Sequence, residues 1–269
     1  MGPWSAIVRR LRPPRAPLLN IAGDVGEGPV IVFVHGIASS AATFRKLIPL
    51  LSDNHRCISI DLLGFGGSPV PEDATYTIEE HVAAIRETVR SLRLREPFVL
   101  VGHSLGSLLA ARLAAVHPEQ VSRLVLLSPP IYLAPSEISD PRVRRQVGGY
   151  LRLYEFMRAN KAFTMSTAAR VSQLFQLKDA LEVTERNWVP FMLSLQNCIE
   201  SQTTVSDIAA VRVPIDVVYG AQDQFITAGT MRIIEQMRHV TTHRVEVSDH
   251  LVRARLARAV ARVINGSPQ

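Results

Sequence analysis

The sequence predicts an α/β protein: a mostly parallel central sheet flanked by helices and interrupted by a helical insertion. Three observations carry this expectation. Short apolar runs recur between residues 30 and 127, amphipathic helical patterns separate them, and a strandless stretch from about 131 to 205 precedes the sheet's resumption at 215.

The runs are "VIVFV" at 30–34, "CISI" at 57–60, "FVLV" at 98–101 and "LVLL" at 124–127. Each is too continuous for a half-exposed strand and too short for a helix of its own, which marks strands buried on both faces of a parallel sheet. Between the second and third, residues 78–92 place Ile78, Val82, Ile85, Val89 and Leu92 on one stripe. Glutamates stand early and arginines late, as the helix dipole favours. After "LLSPP" the pattern turns helical: Asp140 followed by Pro141 starts a helix, and Gly148–Gly149 is expected to break or kink it. The sheet returns with "IDVVYG" at 215–220 and closes with "RVEV" at 244–247, before a last helix near 251–263. The expected organisation is a core of residues 1–130 and 206–269 with a helical cap of residues 131–205.

Composition narrows the function. A chain of 269 residues that is 47% hydrophobic can bury a sizeable core. Its net charge of +6, almost all of it from arginine, is spread along the sequence and argues against a nucleic-acid partner. Cys57 and Cys198 stand far apart and match no metal or disulfide pattern, so a reducing, cytoplasmic setting and no metal are expected. The first residues lack a signal-peptide core, and Ala6 stands where a myristoylation signal needs Ser or Thr. No run is long enough to span a bilayer, so no stable membrane insertion is expected. The cluster Arg9, Arg10, Arg12 and Arg15 reads as a solvated arm.

The chemistry centres on "VLVGHSLGSLLAARLAAV" at 99–116, where Gly102-His103-Ser104-Leu105-Gly106 joins a buried strand directly to a helix. That context fits a nucleophile elbow, a turn so tight that its serine stands exposed above the sheet's carboxyl edge while the glycines make room for neighbouring backbone. The bland alternative is a glycine-softened turn with a capping serine. A serine hydroxyl is a poor nucleophile unless a histidine removes its proton and a carboxylate orients that histidine. Sites in open parallel sheets lie beyond the carboxyl ends of strands. Asp223 follows "IDVVYG" whereas Asp216 begins it, and His250 follows "RVEV" whereas His243 precedes it. Asp223 and His250 are therefore the expected partners of Ser104. The backbone N–H groups of Ile37, in "HGIASS", and of Leu105 are the expected oxyanion donors. Asp61 and the glycines of "DLLGFGGS" shape a loop at the edge of the site.

Together "VFVHGIASS", "SIDLLGFGGS", "VGHSLGS", "YGAQDQF" and "SDH" resemble the α/β-hydrolase superfamily, in particular its small members with a helical cap. The resemblance runs from about residue 17 to 265. It implies a serine hydrolase working through an acyl-enzyme without a cofactor. Serine at 104 argues against the epoxide hydrolases and dehalogenases, whose nucleophile is an aspartate. Ile37 and Ala38 stand where cofactor-free haloperoxidase-like members carry an aromatic residue. Many relatives have glycine before the catalytic histidine, where this chain has Asp249, a rival partner for His250.

The cap is expected to choose the substrate. Tyr150, Leu153, Tyr154 and Met157 share one helical face, and Trp188, Phe191, Met192 and Leu195 another. Most of these hold cap to core; His103, Tyr154, Trp188, Phe191 and Met192 are candidate pocket residues. An uncharged, fairly apolar small-molecule ester, thioester or lactone is the expected substrate. Carbon–carbon hydrolysis, non-hydrolytic biosynthesis and ligand sensing by a receptor of the same fold remain open, as does the oligomeric state.

Overall fold

A computed structural model describes residues 15–133, 138–174 and 182–266. Arg9, Arg10 and Arg12 lie outside the described residues. The strands are β1 (Ile21–Val25), β2 (Val30–Val34), β3 (Arg56–Ile60), β4 (Phe98–His103), β5 (Val121–Leu127), β6 (Ile215–Gly220) and β7 (Val240–Val245). They form one seven-stranded sheet in the order β1-β3-β2-β4-β5-β6-β7. All neighbours run parallel except β1, which pairs antiparallel with β3.

Each apolar run is a strand because both its faces are covered. Val32, Val34, Ile58, Ile60, Leu100, Leu124 and Val217 face one core layer. Ile31, Phe33, Cys57, Val101, Val125 and Val218 face the other. Helices α1 (Ile78–Ser91) and α2 (Leu105–Val116) cover the first face. The terminal helix, α8 (Ala254–Asn265), packs Leu256, Val260 and Val263 onto the second. Thr77 caps α1 by accepting from the Glu80 N–H, and Glu79 and Glu80 occupy its first turn.

Between β5 and β6 the described residues form α3 (Pro141–Ala159), α4 (Lys161–Leu174), α5 (Trp188–Ser194) with a π-helical turn at Leu195–Glu200, and α6 (Thr204–Ala210). Helix α7 (Ala228–Ile234) follows β6. Asp140 caps α3 as expected, accepting from the Arg142 N–H at 2.8 Å. The break expected at Gly148–Gly149 is absent: α3 runs through both. Two glycines cost a helix about 1 kcal/mol each, and here buried Val147 and Tyr154 anchor the helix on either side. The expected core boundary at 206 falls inside α6, whose Asp207 pairs with Arg112 of α2 at 2.8 Å.

The last strand also differs from expectation. β7 spans Val240–Val245 rather than 244–247, so His243 lies within it, opposite Val218. Its ring bonds Asp216 Oδ1 at 2.8 Å, and Arg123 holds the other oxygen of Asp216. The four consecutive polar residues of "VTTHRV" suit an edge strand and make a weaker pattern than the apolar runs of the interior. The last helix starts at Ala254, three residues later than expected. Among the described residues no helix is long and apolar enough to cross a membrane.

Candidate active site

Strand β4 delivers Ser104 into a left-handed backbone conformation, φ 52° and ψ −122°. This is a costly geometry for a residue with a side chain, and the surroundings enforce it. The Ser104 N–H is held by the Leu127 carbonyl of β5, and the Ser104 carbonyl accepts from Ser107. A Cβ on Gly102 would lie 2.3 Å from the Gly106 carbonyl oxygen, and one on Gly106 would lie 2.2 Å from that of Val34. Only glycine fits either place. The Ser104 side chain makes no capping hydrogen bond, which removes the capping alternative.

The hydroxyl instead points to His250. Ser104 Oγ lies 3.0 Å from His250 Nε2, and His250 Nδ1 lies 3.0 and 2.9 Å from the two oxygens of Asp223. In this arrangement Nδ1–H donates to the carboxylate and the Nε2 lone pair faces the hydroxyl. Burial works to raise the Asp223 pKa, but the hydrogen bond and electrostatic attraction of the His250 ring, with the Phe225 N–H, outweigh it and hold the carboxyl below its ordinary value. Asp249 is turned away: it accepts from Leu251 N–H and Arg253 Nε, each at 3.2 Å.

The turn after β2 closes over the serine. A Cβ on Gly36 would come within 2.9 Å of Ser104 Cβ. His35, fully buried, donates from Nδ1 to the Gly36 carbonyl at 2.8 Å and accepts from the Leu62 N–H at 2.9 Å. A trans peptide points its C=O and N–H in opposite directions, so pinning the Gly36 carbonyl also sets the direction of the Ile37 N–H. Neither the Ile37 nor the Leu105 N–H has an acceptor among the described residues. Asp61 supports the same loop, accepting from Ala41, Gly67 and Asn20.

Ser104 is only 7% exposed, contrary to the open position expected of it. Part of the cover is aromatic: the Phe225 ring stands edge-on to His250 at 4.7 Å, Tyr150 lies 6.0 Å from Phe225, and Tyr132 stacks on Tyr150 at 5.6 Å. The Tyr150 hydroxyl bonds the Gln224 carbonyl, and Tyr132 and Tyr154 share a hydroxyl contact at 3.2 Å. Phe225 and Tyr132 were not singled out in the sequence, although Phe225 stands two residues after Asp223.

The candidate pocket residues divide. His103 lines no open space: it is 5% exposed, and its Nε2–H donates to the His250 carbonyl at 2.8 Å. Trp188, Phe191 and Tyr154 are buried in the apolar cluster that joins the inserted helices to the sheet, whereas Met192 is half-buried. The join is also polar: Glu182 N–H donates to the Ala38 carbonyl at 2.7 Å, and Arg186 donates to the carbonyls of Gly66 and Ser68. The buried His81 ring meets Ser194 at 3.0 Å.

Fold and site together define the class, an α/β hydrolase. The sequence family described as the alpha/beta hydrolase fold matches residues 29–252, and the chain belongs to it. The chain is 42% identical over 123 residues to the protein named probable lysophospholipase BODYGUARD 2 of Arabidopsis thaliana, covering 44% of this chain and 26% of that one. It is 36% identical over 116 residues to the pimeloyl-(acyl-carrier protein) methyl ester esterase of Aeromonas hydrophila, covering 42% of each. Among solved structures it is similar to a serine hydrolase involved in carbazole degradation, with a TM-score of 0.68 and 20% identity over 91% of this chain and 92% of that one. At that identity the likeness is one of fold. The chain spans about a quarter of the length of the BODYGUARD proteins it matches.

Proposed function

We propose that this chain is a serine hydrolase of uncharged, fairly apolar carboxylic esters or related acyl compounds. The observation that carries the reading is the hydrogen-bonded series Ser104–His250–Asp223, together with the Ile37 and Leu105 N–H groups, which have no acceptor among the described residues. The names of two relatives, a probable lysophospholipase and a methyl ester esterase, agree with ester chemistry.

In the proposed reaction Ser104 Oγ adds to the substrate carbonyl carbon as its proton passes to His250 Nε2. The Ile37 and Leu105 N–H groups hold the oxyanion. The carbon–oxygen bond to the leaving group breaks, the alcohol takes the proton from His250, and an acyl-Ser104 ester remains. Water then adds as His250 takes its proton; the acid leaves and Ser104 is restored. Asp223 keeps the imidazole in the required tautomer and stabilises its charge. Residues 131–205 act as a cap whose inner aromatic side chains, with Phe225, exclude water from the acyl group.

Intact-mass and peptide analysis after exposure to a fluorophosphonate tests this without a known substrate. A single adduct on Ser104, absent from Ser104→Ala, is expected. An unlabelled wild-type chain, or an adduct elsewhere, overturns the assignment. Nitrophenyl esters of graded length then read out the acyl preference.

A further inference from the structure

The excess positive charge is not spread evenly along the chain, contrary to expectation. Residues 141–174, the hairpin of α3 and α4, carry seven basic side chains and one acidic, a net +6. The rest of the chain is balanced, because the whole sequence carries +6. Arg158 and Lys161 pair with Glu200 and Glu185 outside the hairpin, and Arg144 is tied to the Ile138 carbonyl. Arg142, Arg145 and Arg152 are exposed and have no carboxylate partner among the described residues.

These three arginines share a face with exposed apolar groups. At 100° per residue, positions 142, 145, 152, 153 and 156 fall within about a third of the helix circumference, opposite buried Val147 and Tyr154. Leu153, expected to share the inward face of Tyr150 and Tyr154, is instead 48% exposed here, because it lies about 100° round the helix from Tyr154, and Phe156 is 46% exposed on the same face. Phe156 meets the 56% exposed Phe163 of α4 edge-to-face at 5.4 Å. Helix α8 also presents arginines, Arg255, Arg258 and Arg262, but among its large apolar residues none is exposed. A solvated basic face resembles α8; arginines interleaved with uncovered Leu and Phe are the composition of a helix lying in a lipid headgroup layer. Nucleic acid or an acidic protein would complement the charge but would leave the phenylalanines unexplained.

We propose that the outer face of the α3–α4 hairpin docks on an anionic lipid surface, from which the site draws an acyl lipid. The substrate clause rests on the ester-hydrolase reading; the docking clause does not. The same helix links the two, because its inner Tyr150 bonds the Gln224 carbonyl and approaches Phe225, the ring that covers His250.

The test is co-sedimentation of the full Ser104→Ala chain, which separates docking from turnover, with vesicles of phosphatidylcholine alone or mixed equally with phosphatidylglycerol. Binding to the mixed vesicles only is expected, falling as salt rises past ~0.15 M. At about fivefold per arginine, Arg142→Gln/Arg145→Gln/Arg152→Gln weakens it roughly a hundredfold, and Phe156→Ser/Phe163→Ser weakens it about tenfold or more, with unchanged thermal unfolding in both. Equal binding to both vesicles, binding to neither, or wild-type binding by the arginine variant overturns the proposal. Wild-type vesicle binding by the phenylalanine variant, with equal retention on duplex DNA, overturns it in favour of a general polyanion site. Failure of Ser104 to label with fluorophosphonate strikes the chemistry and leaves docking standing.

Discussion

His103 Nε2–H donates to the backbone carbonyl of His250 at 2.8 Å, and the two rings lie 5.1 Å apart. The residue just before the proposed nucleophile thus holds the loop that carries the proposed base. His103 does not touch Ser104 Oγ, so its role is positioning. Burial, with His250 nearby, pushes its pKa down to about 3, which keeps a second positive charge away from the site. His103→Phe keeps the shape and removes the donor; kcat is expected to fall about tenfold or more. His103→Gln, whose amide reaches a similar place, is expected to recover most of it. Equal rates for wild type and His103→Phe would show that the bond does not set the base.

Asp223 and Asp249 offer a second contrast. The Asp223 side chain is fully buried against His250 Nδ1, whereas Asp249 is 44% exposed and faces Arg253. Asp223→Asn is expected to lower kcat by about 10⁴ by fixing the wrong tautomer. Asp249→Asn is expected to stay within about twofold, as surface changes usually do. Ester kinetics on both variants decide the point, and a reversed order would transfer the role to Asp249.

Acid should destabilise the fold well above the carboxylate range. Burial depresses His35 to about 4 and His81 and His103 to about 3, below their ordinary 6.5. Between those values the unfolded chain binds protons that the folded chain refuses, so the contribution is full above pH 6.5 and is lost as pH falls toward 4 and 3. Each group adds a slope of up to about 1.4 kcal/mol per pH unit. Asp223, depressed below 3.8, adds a further loss only at lower pH. Unfolding midpoints measured from pH 7 to 4 should fall steadily; a flat profile would contradict neutral buried histidines.

Both cysteines should be silent in the native state. Cys57 and Cys198 are free and buried, and burial raises the Cys57 thiol to about 11 and the Cys198 thiol further. Maleimide is expected to label neither within the time needed to label both in denaturant. Rapid native labelling of Cys198 would mean that α5 and the π-turn open readily.

Much of the fold was legible in the sequence, for a definable reason. Strands buried on both faces leave unbroken runs such as "VIVFV", and α1 carries an apolar stripe with a capping threonine. The elements with mixed patterns are the ones the sequence hides: edge strand β1 gives no run at all, β7 is displaced, and Gly148–Gly149 reads as a break or kink in α3. At the site, Ser104, Asp223 and His250 could be chosen because each follows a strand. The direction of His103 is not legible in the sequence, because a polar residue beside the proposed nucleophile has no periodicity to reveal it.

The sequence by itself determined the parallel sheet, the elbow and the order of its three polar residues, because these depend on local pattern and chain direction. Only the tertiary structure decided that His35 joins the Gly36 turn to Leu62, that Phe225 and Tyr150 roof His250, and that Glu182 of the insertion ties back to Ala38. Those relations join residues tens of positions apart, and distance along the chain says nothing about distance in space until the core has packed.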